Sequence, residues 1–250
     1  MRSLAIGATG MLAQQTNVDV ISNNIANMNT TAYTKRRAEF NDLLYQNIIR
    51  PGATSSAAQT VVPSGIQLGL GVRTAAIYRI TGGTGLTNTN NQIELPEGKG
   101  IAYTRDGAFQ KNGDGVIVTH DGYIVQPEIT IPDDATEVYI NNSGEVWVKQ
   151  DGETDEVNVG QLELATFVNE AGLEAMGQNL LLETQASGAP IVDNPDVEGF
   201  GSILQGYLET SNVNPVSEIT ELVSAQRAYE MNSKIIQTSD QMLNTITQLR

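Results

Sequence analysis

Leu4, Met11, Val18 and Ile25 stand seven residues apart in a segment free of proline, with Ala8, Gln15 and Ser22 at the complementary positions. Ala5, Leu12 and Ala26 flank one side of that row, and Ile21 and Met28 the other. The same spacing returns at the other end of the chain, where Ala228, Ile235, Met242 and Leu249 repeat every seven residues. Beside them Ala225, Tyr229, Asn232, Ile236, Ser239, Leu243 and Ile246 form a second stripe in alternating four- and three-residue steps. A strict seven-residue repeat favours a left-handed supercoil over a lone straight helix. Two adjacent stripes make a face wide enough for more than one neighbour, and Asn232 and Ser239 within it can set register between helices. The pattern therefore predicts one helix over about 3–28 and another over 214–250. At ~1.5 Å per residue the second would run about 54 Å. Asn214 suits its N-cap and Pro215 its first position, where a missing N–H costs nothing.

Between these ends the period changes. Asn-Asn-Ile-Ala-Asn-Met-Asn-Thr-Thr (23–31) supplies side chains that compete for backbone hydrogen bonds and should end the first helix near 27–31. Residues 31–65 read as an extended connector, closing with the Gly/Ser/Pro-rich 51–65. From about Ile66 the punctuation is that of β-structure. Asp106-Gly107, Gly113-Asp114-Gly115 and Asp121-Gly122 separate short apolar runs. Val138–Ile140 and Val146–Val148 flank Asn-Asn-Ser-Gly (141–144) as a hairpin, and Val157–Val168 reads as a strand pair or one long strand. The predicted fold is α+β, with long N- and C-terminal helices pairing as a coiled coil (1–30 and 214–250). The connector at 31–65 leads to a central, mainly antiparallel β region at 66–213.

Charge sharpens this division. Of 250 residues with formal charge −15, residues 51–213 hold six basic and 22 acidic, a formal −16, whereas the two ends together carry +1. Near-neutral ends can pack closely in an assembly, and an acidic middle stays solvated and repels polyanions, which argues against nucleic acid as a partner. No cysteine is present, so disulfides and thiolate metal sites are excluded. Leu4–Leu12 is broken by Gly7, Thr9 and Gly10, too polar for a cleaved secretory signal. No stretch approaches the ~18 apolar residues of a membrane span, so membrane insertion is not expected.

Candidate chemistry is sparse. His120 is the only histidine and sits in a Thr-His-Asp-Gly turn, which removes histidine-based metal clusters. The Gly-x-Ser-x-Gly elbow of serine hydrolases is absent. Gly65, Gly69 and Gly71 resemble a dinucleotide loop only in spacing, because β-like sequence follows where a helix is needed. No cofactor and no catalytic residue is assigned. The alternative from another class is a secreted peptidoglycan- or carbohydrate-acting enzyme anchored by its helical ends, using an acidic pair.

Two long motifs carry a resemblance. The first is Met1–Gln46, MRSLAIGATGMLAQQTNVDVISNNIANMNTTAYTKRRAEFNDLLYQ; the second is GYLETSNVNPVSEITELVSAQRAYEMNSKIIQTSDQML, from Gly206. Both resemble the shared signature of the bacterial flagellar rod and hook proteins. Between them GIQLGLGVR, YTRDGAF, GYIVQPEITIP, QLELATFVN and NLLLETQASGAP look like the distal-rod branch of that family. The resemblance implies an axial structural protein, exported through the flagellar export apparatus without a cleaved signal peptide, that polymerises helically into a hollow periplasm-spanning drive shaft. Its implied partners are copies of itself, other rod proteins, the hook protein and the basal-body ring proteins. It also places Asn23, Asn24, Asn27, Asn29 and Thr30 in an N-terminal signature, and Gln226, Arg227, Tyr229 and Asn232 in a C-terminal one. The chain departs from the family pattern twice. Ala32 stands where relatives usually have Gly, which would strain a left-handed backbone there. Thr87–Gln92 also runs directly into Ile93–Gly100, where relatives place an apolar strand of about ten residues.

Overall fold

The computed structural model describes residues 2–50, 64–81, 90–95, 100–152 and 155–248. The predicted linker at 51–65 and Leu249 fall largely or wholly outside them. The chain divides into two compact units, one of Met1–Met28, Arg36–Arg79 and Val213–Arg250, the other of Asn29–Lys35 and Ile80–Asn212.

The first unit contains α1 (Arg2–Ala26), β1 (Arg36–Asp42), β2 (Tyr45–Ile49), β3 (Ile66–Gly69), β4 (Val72–Arg79) and α2 (Pro215–Gln248). Asn27 ends α1 by donating from Nδ2 to the carbonyl of Asn23 at 2.9 Å, the competition that the Asn-rich stretch predicts. Asn214 caps α2, its Oδ1 accepting from the N–H groups of Val216 and Ser217 at 3.1 and 3.3 Å. The connector reading changes here. Residues 36–49 are strands, β1 pairing antiparallel with β4 and β2 with β3. Ala38 is the buried residue of β1, and both β1 and β4 pack on α1. This segment therefore groups with the helices, because its small buried side chain lets the ribbon lie against them.

The second unit contains β5 (Asn90–Glu94), β6 (Ile101–Thr104), β7 (Gln110–Lys111), β8 (Ile117–Val118), β9 (Ile124–Gln126), β10 (Ala135–Ile140), β11 (Glu145–Gln150), β12 (Val157–Gln161), β13 (Leu164–Thr166), β14 (Glu174–Gly177), β15 (Leu180–Leu182) and β16 (Ile191–Asp193). Nine of them form one sheet in the order β14-β15-β6-β5-β9-β8-β7, with β13 pairing both β5 and β16; β10-β11-β12 form a second sheet. Every pairing is antiparallel, as predicted. A core of Ile93, Val125 and Ile129 with Val146 and Val148 joins the two sheets. Asn141–Gly144 makes the expected hairpin turn, Gly144 donating to the carbonyl of Asn141 at 3.0 Å in a left-handed conformation (φ +82°). Val157–Val168 resolves into two strands, β12 and β13, in different sheets. Gln92 and Ile93 are consecutive in β5, which lies at the centre of its sheet.

Candidate assembly interface

The two terminal helices pack against each other within the first unit. A Cβ placed on Gly7 would come to 2.9 Å from Ile236 Cγ1, and one on Gly10 to 2.9 Å from Asn232 Nδ2. Asn24 reaches Glu218. Positions rising along α1 thus meet positions falling along α2, so the helices are antiparallel. Gly7, Gly10 and Ala13, three apart, give α1 a side-chain-poor face that brings the two backbones close. Most buried on α1 are Gly7, Ala13, Val20, Ile21 and Asn24. Leu4, Met11, Val18 and Ile25, the predicted seven-residue row, are half-buried to its side.

On α2 the two stripes part company. Ala225 and Ser239 are buried, and Asn232, Ile236 and Leu243 half-buried, so this stripe faces α1. Tyr229 and Ile246, which belong to it by spacing, stay 45% and 64% exposed. In the strict seven-residue row Ala228 is half-buried, but Ile235 and Met242 are 49% and 54% exposed. Val216, Ile219, Val223 and Met231 add further exposed apolar area on the same helix. A helix gripped along one stripe and apolar along another has surface to offer a second neighbour.

A polar junction fixes where the helices cross the ribbon. Asn24, 1% exposed, donates from Nδ2 to the Arg36 carbonyl at 2.8 Å and accepts the Arg36 N–H on Oδ1 at 2.9 Å, as a strand partner would. Its Nδ2 also donates to Oε2 of Glu218, 0% exposed, at 3.0 Å. One carboxamide thereby joins the end of α1, the start of β1 and the first turn of α2. A second close approach lies at Gly71 (φ +119°), where any Cβ would collide with Thr9 Oγ1. Thr9 is itself held there, donating to the Ile6 carbonyl at 2.8 Å.

Of the signature residues, Asn24 sits in this junction, while Asn23, Asn29, Gln226 and Arg227 are at the surface and Asn27 and Thr30 half-buried. The heptad argument missed Glu218, Gly7 and Gly10. An acidic residue in the first turn of a long helix and glycines three apart in another were the available signals.

Three family models match the chain. "Flagella basal body rod protein" covers residues 4–34, the "Flagellar hook protein FlgE/F/G D1 domain" 91–148, and "Flagellar basal body rod FlgEFG protein C-terminal" 204–249. The flagellar basal-body rod protein FlgG of Caulobacter vibrioides is 54% identical, covering 100% of both chains. The chain belongs to the flagellar basal-body rod protein family. It is a structural rod protein of that family, and the glycan-acting enzyme reading has no counterpart among these matches. FlgG of Bacillus subtilis is 37% identical over 100% of this chain and 99% of its own. The flagellar hook protein FlgE of Salmonella typhimurium is 40% identical over 48% of this chain and 29% of its own. The Caulobacter alignment runs over 261 positions, eleven more than this chain has residues. No helix of the described residues is long and apolar enough to cross a membrane.

Proposed function

We propose that the chain polymerises helically, with the α1–α2 unit lining a hollow shaft as coiled coils and the acidic β unit facing outward. In this reading it is a distal-rod subunit that transmits torque toward the hook. The observation that carries it is the exposed apolar row of α2, Ile235 and Met242 above all, on a helix whose other stripe is already packed on α1. Copies of the same chain are the natural cover, because a seven-residue row matches another helix bearing the same repeat. Leu4, Met11, Val18 and Ile25 supply the facing row of α1, and the seven-residue spacing continues in the sequence to Leu249. Neighbours at the two ends of the shaft are other rod proteins and the hook protein, and ring proteins surround it. The family relation supports export through the flagellar apparatus and residence in the basal body.

Sedimentation velocity with electron microscopy over a concentration series tests this. Tubes growing above a threshold concentration are expected. A chain that stays monomeric at every concentration would exclude self-assembly.

A further inference from the structure

The two faces of β5 are unlike. Ile93, and Leu95 just beyond the strand, enter the main core, whereas Asn90 and Gln92 are buried on the opposite face at 2% and 8% exposure. Gln92 is paired with Tyr103 on β6 and with Gln126 on β9, so two carboxamides stand side by side on this face. Glu94, two residues on, accepts a 2.6 Å hydrogen bond from Gln126 Nε2. Gln92, Gln126 and Glu94 open into a cavity of about 430 Å³ whose wall also includes Glu163, Ile101 and Pro127.

The cavity has an excess of acceptors. One N–H of Gln126 already goes to Glu94, which leaves its second N–H, its carbonyl oxygen and the remaining lone pairs of the two carboxylates. The Gln92 side chain makes no hydrogen bond with the described residues although nine-tenths of the residue is withdrawn from solvent. The Gln92 amide is not a sealed, unpaired group: it is reached from the cavity and is open to a ligand there. Neither Glu94 nor Glu163 forms an ion pair with a described residue. Two carboxylates with amide carbonyls call for a cationic, donor-rich ligand. The described residues hold no group of three or more carboxylate or histidine ligands suited to a metal ion, and the volume far exceeds that of a bare ion.

We propose that this cavity binds a guanidinium group. Its planar fork of five N–H donors can satisfy both carboxylates and an amide oxygen at once, which the three donors of an ammonium do less well. Ile101 and Pro127 offer apolar wall for the attached methylenes. The formal −16 of residues 51–213 raises the local concentration of any cation. The group belongs either to a free small molecule or to an arginine of a neighbouring copy.

The test uses the full chain below its assembly threshold, titrated with ethylguanidinium chloride at constant ionic strength while the side-chain amide resonances of Gln92 and Gln126 are followed. Saturable shifts are expected, with affinity about tenfold weaker in Glu163→Gln, which loses a charge-assisted bond. Glu94→Gln serves as the second variant should Glu163→Gln fail to fold, and Glu137→Gln on the other sheet should bind as wild type. Linear shifts indifferent to these substitutions overturn the site, and equal affinity for ethylammonium overturns the guanidinium assignment. This arm is independent of the polymer reading. In sedimented assemblies, a site closed to ethylguanidinium supports a neighbour's arginine as occupant, and an open one supports a free ligand.

Discussion

Asn24 and Glu218 lie 194 positions apart in sequence and meet at 3.0 Å, both almost wholly buried. The carboxylate of Glu218 sits in the first turn of α2, where the positive end of the helix dipole favours it. The carboxamide of Asn24 brings it a hydrogen bond without bringing a charge. Neither residue can be removed cleanly, since each leaves the other's polar atoms in a dry site. Asn24→Ala and Glu218→Ala should therefore each cost about 3 kcal/mol or more, and the double variant less than their sum by ~1–3 kcal/mol. Urea denaturation followed by the far-ultraviolet helical signal measures this. Additive costs would show that the two side chains act separately.

The ends of this molecule were legible because periodicity survives packing. Asn214, Pro215 and the Asn-rich stop after Ala26 all act locally, and each worked as the sequence indicates. The hairpin around Asn141–Gly144 was legible for the same reason. What the sequence hid is long-range. Nothing within a few residues of Ala38 announces that β1 and its partner β4 lie on α1 rather than with the later strands. Gly7 and Gly10 are poor helix formers, and their use appears only once Ile236 and Asn232 stand opposite them. The two stripes of α2 were visible together, but only the structure assigns one to α1 and leaves Ile235 and Met242 exposed.

Ala32 adopts φ +56°, a left-handed conformation that strains a residue bearing a Cβ. Its N–H donates to the Glu209 carbonyl at 2.9 Å, which holds the backbone there despite the Cβ. Ala32→Gly removes that strain while adding freedom to the unfolded chain, so the net gain is up to about 1 kcal/mol. Thermal unfolding should shift upward by ~2–4 °C, and Ala32→Val, with a β-branched side chain, downward. A destabilised glycine variant would show that the methyl group packs usefully.

Tyr103, 2% exposed, stacks edge-on against Phe167 with ring centroids 4.8 Å apart. Burial, and then the nearby charge of Glu183, pushes its phenol above the ordinary value of 10.0. The folded state thus holds the phenol proton more tightly than the unfolded state does. This contribution to stability is fully present below pH 10 and is lost as pH rises through the higher folded value. Between pH 9 and pH 11 the wild-type chain should lose more thermal stability than Tyr103→Phe, which cannot ionise there. Identical losses would place the alkaline sensitivity elsewhere.

Ile235 and Met242 supply the sharpest test of assembly, because the two levels of organisation make opposite demands on them. In the single chain they are 49% and 54% exposed, and substitutions at such positions usually change folding stability by no more than about 0.5 kcal/mol. In a seam between copies each would be desolvated, and truncating a buried Ile or Met to Ala costs ~2–5 kcal/mol through lost transfer energy and a residual cavity. That loss recurs in every subunit of a polymer. Ile235→Ala combined with Met242→Ala should therefore leave the melting of the isolated chain nearly unchanged while raising the assembly threshold by orders of magnitude. Motility of cells carrying the double variant should fail with it. Gln237→Ala, exposed on the same helix and off the row, is the control and should assemble as wild type. Normal tubes from the double variant would falsify the seam. A double variant that melts early as a monomer would instead mean that these side chains belong to the fold of the single chain.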